Sequence, residues 1–274
     1  MGYIQTIESI KTIRDYKTEP VAIETLRNLV AEVQSSSALL PASAFALQII
    51  EDGKGFYDMM DGKVGYFGKL YEAPQYVVMF SKAGEGVYEN SGFMMEKLRL
   101  RAWEMGLGTC WISLDQPPDL SAWVKEQLNL PPIALVSIGY PEAGLLRNDV
   151  LKQSSRLPLS ELVYKDQWER RCPIDLLESR GLSEILYYGK FAPSWGNRQP
   201  WRFIFHDETI YLTVHIDGAN EKRALIDAGI VMLYVHLTAH DRGIPLDWEM
   251  TGDDDSLRDV FRLPEDERLV ASFS

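Results

Sequence analysis

The chain has 274 residues, 46% of them hydrophobic, with 40 acidic against 28 basic side chains and a formal charge of −12. That length and apolar content exclude a disordered chain and allow one large domain or two modest ones around a sizeable core. The acidic surface repels nucleic acid and anionic membranes, so an anionic ligand has to be held by a few local bases.

Two cysteines, Cys110 and Cys172, make no disulfide framework and fit a reducing cytoplasm. No apolar run reaches membrane-spanning length, and no signal-peptide pattern opens the chain. At the start, Ile4, Ile7, Ile10 and Ile13 recur every third residue, as one face of a short helix does. Lys11, Thr12 and Arg14 lie beside that face, and Tyr16 and Pro20 follow. Taken alone, these polar residues read as a solvated helix surface.

Leu26 to Val33 predicts an amphipathic helix. Pro41-Ala42-Ser43, ending at Gln48, reads as a worn copy of a bend that recurs near residue 193. Residues 53–68 hold five glycines among methionines and aromatics, which predicts a mobile apolar loop suited to a lid. Ala73 to Phe80 predicts a buried strand. Phe93 to Met105 predicts a long helix stopped by Gly106, with a strand beginning at Trp111-Ile112-Ser113-Leu114. Ile133 to Ile138 predicts a further strand, and Leu182 to Tyr188 a helix.

The bend Ala192-Pro193-Ser194-Trp195-Gly196-Asn197-Arg198-Gln199-Pro200-Trp201 is polar and stiff at once. Two prolines fix φ and remove two donors, while Gly196 permits geometry that a side chain blocks. It presents Ser194, Asn197 and Gln199 beside two indoles, which suits a flat, hydrogen-bonding ligand; a buried Pro-rich corner before a strand is the plainer alternative. Residues 90–111 and 227–248 align without gaps at an offset of 137 (227 − 90). Gly92/Gly229, Met95/Met232, Leu100/Leu237, Ala102/Ala239, Gly106/Gly243 and Trp111/Trp248 are identical, and Asn90/Asp227 is a close pair. This spacing reads as duplication of a half.

The pattern Ala-Pro-Ser-x-x-Asn-x-Gln-Pro-Trp resembles the flavin-proximal loop of the nitroreductase family, the FMN-dependent NAD(P)H oxidoreductases. The long helix followed by Gly106-Leu107-Gly108-Thr109-Cys110-Trp111 resembles a second family segment, and Arg156 to Trp168 resembles the tail of a whole subunit. The resemblance implies an α+β fold with a central, mainly antiparallel sheet flanked by helices and an internal pseudo-two-fold duplication. In this subset of the family one chain imitates the usual interlocked dimer, here with residues 1–168 as a first half-unit and 169–274 as a shorter second one, intertwined as one globular domain.

The resemblance also implies a site. Lys11, Thr12, Arg14 and Arg156 are expected to hold the phosphate and ribityl of FMN, with Arg14 nearest the N1/O2 edge. Trp111, Ile112 and Ser113 are expected along the N5/O4 edge, and Pro193, Ser194, Asn197 and Gln199 at the ring from the other half. The family's first basic position is occupied by Ile10. One complete site per chain is expected, because each half keeps motifs that the other lacks.

The implied reaction is ping-pong: NAD(P)H delivers electrons to FMN and leaves, and a small organic acceptor, a nitro compound or quinone by default, then takes its place. A degenerate, non-catalytic flavin-binding or sensing protein is the alternative. Small molecules are the expected partners, with no nucleic acid and no membrane, and the internal pseudo-dimer allows a monomer. No metal is expected: His236 and His240 have ligand spacing but no third ligand, and Asp253-Asp254-Asp255 lacks a cation-loop pattern.

Overall fold

The computed structural model describes residues 2–40, 44–115, 120–124, 129–142 and 155–274. They cluster into two compact units: Ser9–Asn148, and Met1–Glu8 together with Asp149–Ser274. In this clustering Arg156 to Trp168 belongs to the later unit.

The Ser9–Asn148 unit carries a four-stranded antiparallel sheet. Its strands are β1 (Phe45–Ile50), β2 (Gln75–Ser81), β3 (Gly108–Ile112) and β4 (Pro132–Gly139), in the order β1-β2-β4-β3. β2 is central and buried along its whole length, as its β-branched and aromatic content predicts. Helix α1 (Tyr3–Ser9) opens the chain and, as far as Glu8, belongs to the other unit, where the Ile4 N–H donates to Asp241; α2 (Ile23–Ser35) and α4 (Val87–Glu104) pack on each other, and α2 meets β1 while α4 meets β2, β3 and β4. α4 is buried almost all round, including Glu96 and Arg99, which pair with each other at 2.6 Å.

Two expectations change. The isoleucine series is not one helix: α1 stops at Ser9, and Ile10 and Ile13 are buried from an extended segment instead. The glycine-rich stretch expected as a loop begins with α3 (Gly53–Met60). Phe56, Met60 and Val64 recur every fourth residue and enter the core beside Ile50 and Leu135. Tyr66 and Phe67 at the tip of the following turn stay outside. The motif at Pro41-Ala42-Ser43 lies outside the described residues.

The other unit carries a five-stranded sheet: β5 (Val163–Lys165), β6 (Trp201–His206), β7 (Thr209–His215), β8 (Glu249–Met250) and β9 (Glu267–Phe273), in the order β5-β6-β7-β9-β8. Only β5–β6 is parallel. Asp207 and Glu208, both at positive φ, make the two-residue hairpin turn between β6 and β7. Short helices α5 (Leu159–Leu162) and α6 (Ile174–Ser179) precede α7 (Leu182–Gly189), which packs on the 21-residue α8 (Glu221–Asp241); α9 (Asp255–Phe261) seats Phe261 against Ile204 and Leu269.

Leaving β5 aside, the strand orders correspond: β1-β2-β4-β3 in one unit and β6-β7-β9-β8 in the other, each with a long buried helix between its second and third strands. The helix ends match bond for bond. Gly106 donates to Trp103 and Leu107 to Ala102, both at 2.9 Å; Gly243 donates to His240 and Ile244 to Ala239, both at 2.9 Å. Both glycines have positive φ, 78° and 68°, which closes the helix without a Cβ penalty. The α+β class with mainly antiparallel sheets is as expected, with the strands falling into two sheets, one per unit. No helix among the described residues is long and apolar enough to cross a membrane.

Candidate functional site

The first cluster of sequence-selected residues lies along β3. Thr12 makes a parallel bridge with Thr109, and the Ile13 N–H donates to the Thr109 carbonyl at 3.0 Å. The opening segment therefore runs beside the outer edge of β3, the last strand of its sheet. Ile13 can come this close because residue 108 is glycine: a Cβ there lies 2.7 Å from the Ile13 Cβ. Tyr16 fixes the far end, its hydroxyl donating to the Ile13 carbonyl at 2.6 Å and lying 2.8 Å from the Ser137 hydroxyl. Burial pushes the Tyr16 phenol up, so it stays a neutral donor.

This anchoring leaves the polar residues outward. Arg14 and Thr12 are exposed and Lys11 is half-buried. The Arg14 guanidinium lies 5.5 Å from the Tyr71 ring centre, and its charge acts on the Cys110 thiol. Burial pushes that thiol up and the Arg14 and Arg99 charges oppose it, so Cys110 is a packed, protonated side chain.

Backbone groups alternate between the two edges of a strand. Thr109 turns its carbonyl outward to Ile13, and Ser113, beyond the strand end, accepts from the Gly65 N–H at 2.9 Å. Trp111 sits between them, so its backbone N–H and carbonyl face the same edge, where the Cys110 thiol meets the carbonyl at 3.4 Å. Ile112 is buried and faces the core with Leu135. The Trp111 indole donates to Glu96 at 2.7 Å, and Glu96, Arg99 and Thr109 complete a buried network in which Arg99 Nε donates to the Thr109 hydroxyl at 3.1 Å. That network holds β3 against α4.

The second cluster is the Pro193 bend. Gly196, Asn197 and Gln199 all have positive φ, at 59°, 57° and 50°. For the two non-glycine residues this costs on the order of 1–2 kcal/mol each. The surroundings overdetermine the shape. Gln199 Oε1 accepts from the Leu157 N–H at 2.9 Å, and its Nε2 donates to the Ser155 and Asn197 carbonyls at 3.1 and 3.2 Å. The Ser194 hydroxyl oxygen accepts from the Gln199 N–H at 2.9 Å. Arg156 donates to the Ala192 carbonyl at 2.7 Å and the Phe191 carbonyl at 3.3 Å. The side chains of Gln199 and Arg156, selected as ligand contacts, thus hold the bend itself. Asn197 is exposed, with Nδ2 3.3 Å from the Ser155 carbonyl, and Pro193 and Ser194 are half-buried.

One residue of this cluster was missed. Asp227, buried on α8, accepts the Trp195 N–H on both carboxylate oxygens, at 3.1 and 3.2 Å. Burial raises its carboxyl well above the usual range, while the Trp195 N–H and the Arg156 and Arg223 charges pull it back. A lone acid inside the apolar run from Ala224 to Val235 was the available signal. In the other unit Asn90 plays the same part, its Oδ1 accepting from the Leu40 N–H at 3.1 Å.

Among the described residues no group of three or more His, Cys, Asp and Glu side chains converges on a metal position. His236 Nδ1 lies 2.9 Å from the Leu246 carbonyl, and His240 meets the Tyr3 ring edge-on at 5.5 Å.

None of the curated proteins matches the chain by sequence. Among solved structures, a "putative nitroreductase" from Thermotoga maritima MSB8 matches over 100% of this chain and 93% of its own, with 17% identity and a TM-score of 0.60, which shows a shared fold. An FMN-dependent nitroreductase from Clostridium difficile R20291 has 21% identity over 51% of this chain and 87% of its own, at a TM-score of 0.41. A nitroreductase with bound FMN from Bacteroides fragilis NCTC 9343 has 16% identity over 53% and 91%, at 0.45. The family model described as "Putative TM nitroreductase" matches residues 3–239, and the chain belongs to this family.

Proposed function

We propose that the protein is an FMN-dependent oxidoreductase that passes electrons from NAD(P)H to a small organic acceptor, a nitro compound or a quinone by default. The chain is then an internal duplication, residues 1–168 and 169–274 being the two half-units. The matching strand orders and the superimposable bonds at Gly106 and Gly243 support that reading.

The observation that carries the functional reading is the arrangement along β3: an exposed cation and hydroxyl, Arg14 and Thr12, anchored by backbone bonds beside the outward N–H of Trp111. These donors suit FMN. A phosphate takes charge-assisted bonds from Lys11, Thr12 and Arg14, and a ring edge takes the main-chain donor at Trp111 to Ser113. When bound, FMN supplies the hydride chemistry. The chain's own residues bind and orient. Ser194 keeps its hydroxyl proton free to donate while its oxygen accepts from Gln199. Asn197 offers a side-chain amide from a backbone already fixed in its conformation, so little ordering entropy is lost on binding. Arg156 and Gln199 keep the Pro193 bend in shape.

Reconstitution with FMN followed by anaerobic titration with NADPH tests the reading. Bound flavin that bleaches and is recoloured by a nitroaromatic or quinone supports it. Bound flavin that resists the reductant points to the binding-only alternative, and a protein that refuses FMN overturns both.

A further inference from the structure

Arg198 and Arg223 converge on one aromatic ring. Their guanidinium carbons lie 5.0 and 4.2 Å from the centre of the Trp195 indole. The backbone that carries the indole is fixed, because the Trp195 main-chain N–H is held by Asp227, one helical turn beyond Arg223 on α8. Arg198 stands between Asn197 and Gln199 in the strained bend, so its backbone is fixed as well. In a chain of net charge −12, two guanidinium groups drawn to one ring stand against the prevailing charge. We propose that Arg198 and Arg223, held by Trp195, form a recognition site for an oxyanion carried by the reductant or the acceptor: a phosphate monoester or a carboxylate on an otherwise planar ligand.

This rests on the oxidoreductase reading for its biological setting, and its chemistry stands without the flavin. A guanidinium presents a rigid fork of donors that matches phosphate and carboxylate oxygens, and it stacks on an indole through its flat face. Arg198 also pairs with Asp217 at 3.2 Å, but both side chains are about half exposed, at 51% and 56%. Such a pair contributes about 0–1 kcal/mol, so an incoming oxyanion displaces Asp217 at little cost. Arg223 lies in the first turn of α8, where the helix dipole adds to its positive field. Two sources meet this chemistry. One is the 2′-phosphate that distinguishes NADPH from NADH; the other is a carboxylated aromatic acceptor.

The test measures binding to the full-length protein by calorimetry, comparing 2′-AMP with adenosine and 4-nitrobenzoate with nitrobenzene. The anionic member of at least one pair is expected to bind about tenfold more tightly, and R198Q or R223Q to remove that gain. R198K, which keeps the charge and loses the fork, is expected to retain part of it. Thermal unfolding of each variant checks that it is folded. A gain confined to 2′-AMP assigns the site to the reductant, and one confined to nitrobenzoate assigns it to the acceptor. Equal binding within both pairs, no binding at all, or a gain that survives in folded R198Q and R223Q overturns the proposal. Failure of the flavin reading is separate: a protein that takes no FMN but still prefers 2′-AMP keeps this site and loses the other assignment.

Discussion

Replacing Gly108 by alanine tests whether the opening segment and the Gly-Leu-Gly-Thr-Cys-Trp motif are one structural device. The new Cβ meets three atoms of Ile13, Cβ, Cγ1 and Cγ2, at 2.7, 2.7 and 2.8 Å. Carbon atoms rest at about 3.5–4.0 Å, so the Thr12–Ile13 segment has to retreat by about 1 Å. That retreat stretches the 3.0 Å bond from the Ile13 N–H to Thr109 out of hydrogen-bonding range. Overpacking costs about 1–3 kcal/mol and the lost bond about 1 kcal/mol, giving roughly 2–4 kcal/mol for G108A. I13A removes two of the three clashing atoms and alone costs about 2 kcal/mol or more. The double variant is therefore expected to lose less than the sum of the two, by at least about 1 kcal/mol. Urea unfolding followed by circular dichroism gives all three values, and FMN affinity gives a second readout through Arg14 and Thr12. A G108A variant within about 0.5 kcal/mol of the parent, or strict additivity in the double variant, refutes the reasoning.

Three further outcomes follow from buried charges. Burial raises the Glu267 carboxyl to about 7, against a Thr213 hydroxyl donating at 2.9 Å. Its folded pKa exceeds the unfolded value, so the folded state holds the extra proton and stability falls as pH rises from about 4.5 to 7; E267Q is expected to flatten that fall by about 3 kcal/mol in melts across this window. A curve that keeps its slope in E267Q contradicts this. R99M leaves the fully buried Glu96 without its guanidinium and is expected to cost about 3–5 kcal/mol, part of it recovered in E96L/R99M, which still strands the Trp111 indole N–H; equal losses in single and double variants refute the pairing. D227A strips the Trp195 N–H of its acceptor and is expected to cost about 1–3 kcal/mol, with D227N costing less because an acceptor remains. Acrylamide quenching of Trp195 in an otherwise Trp-to-Phe background should rise in D227A; unchanged quenching denies Asp227 its hold on the bend.

Local chemistry was legible in the sequence where it decided structure locally. Gly106 and Gly243 read as helix stops because positive φ is cheap only for glycine, and the structure places matching bonds there. β2 was legible from its unbroken β-branched and aromatic run. The glycine-rich stretch misled because glycine content outweighed the four-residue spacing of Phe56, Met60 and Val64. Gly53 is there for close approach, since a Cβ would lie 2.2 Å from the Ala73 carbonyl. The isoleucine series misled because burial every third residue arises equally from a helix that ends and an extended segment that continues. Gln199 and Arg156 show a deeper limit. A polar side chain in a ligand-like motif has the same appearance whether it faces a ligand or a backbone carbonyl tens of residues away. Only the partners Ser155, Leu157 and Ala192 reveal the second.

The most direct test counts FMN released from the reconstituted, dialysed protein, in the parent and in R14A and N197A. One flavin per chain, with affinity lost in either variant, is the predicted result. Two flavins per chain, none, or retention unaffected by either substitution contradicts the proposed assignment of FMN to these residues.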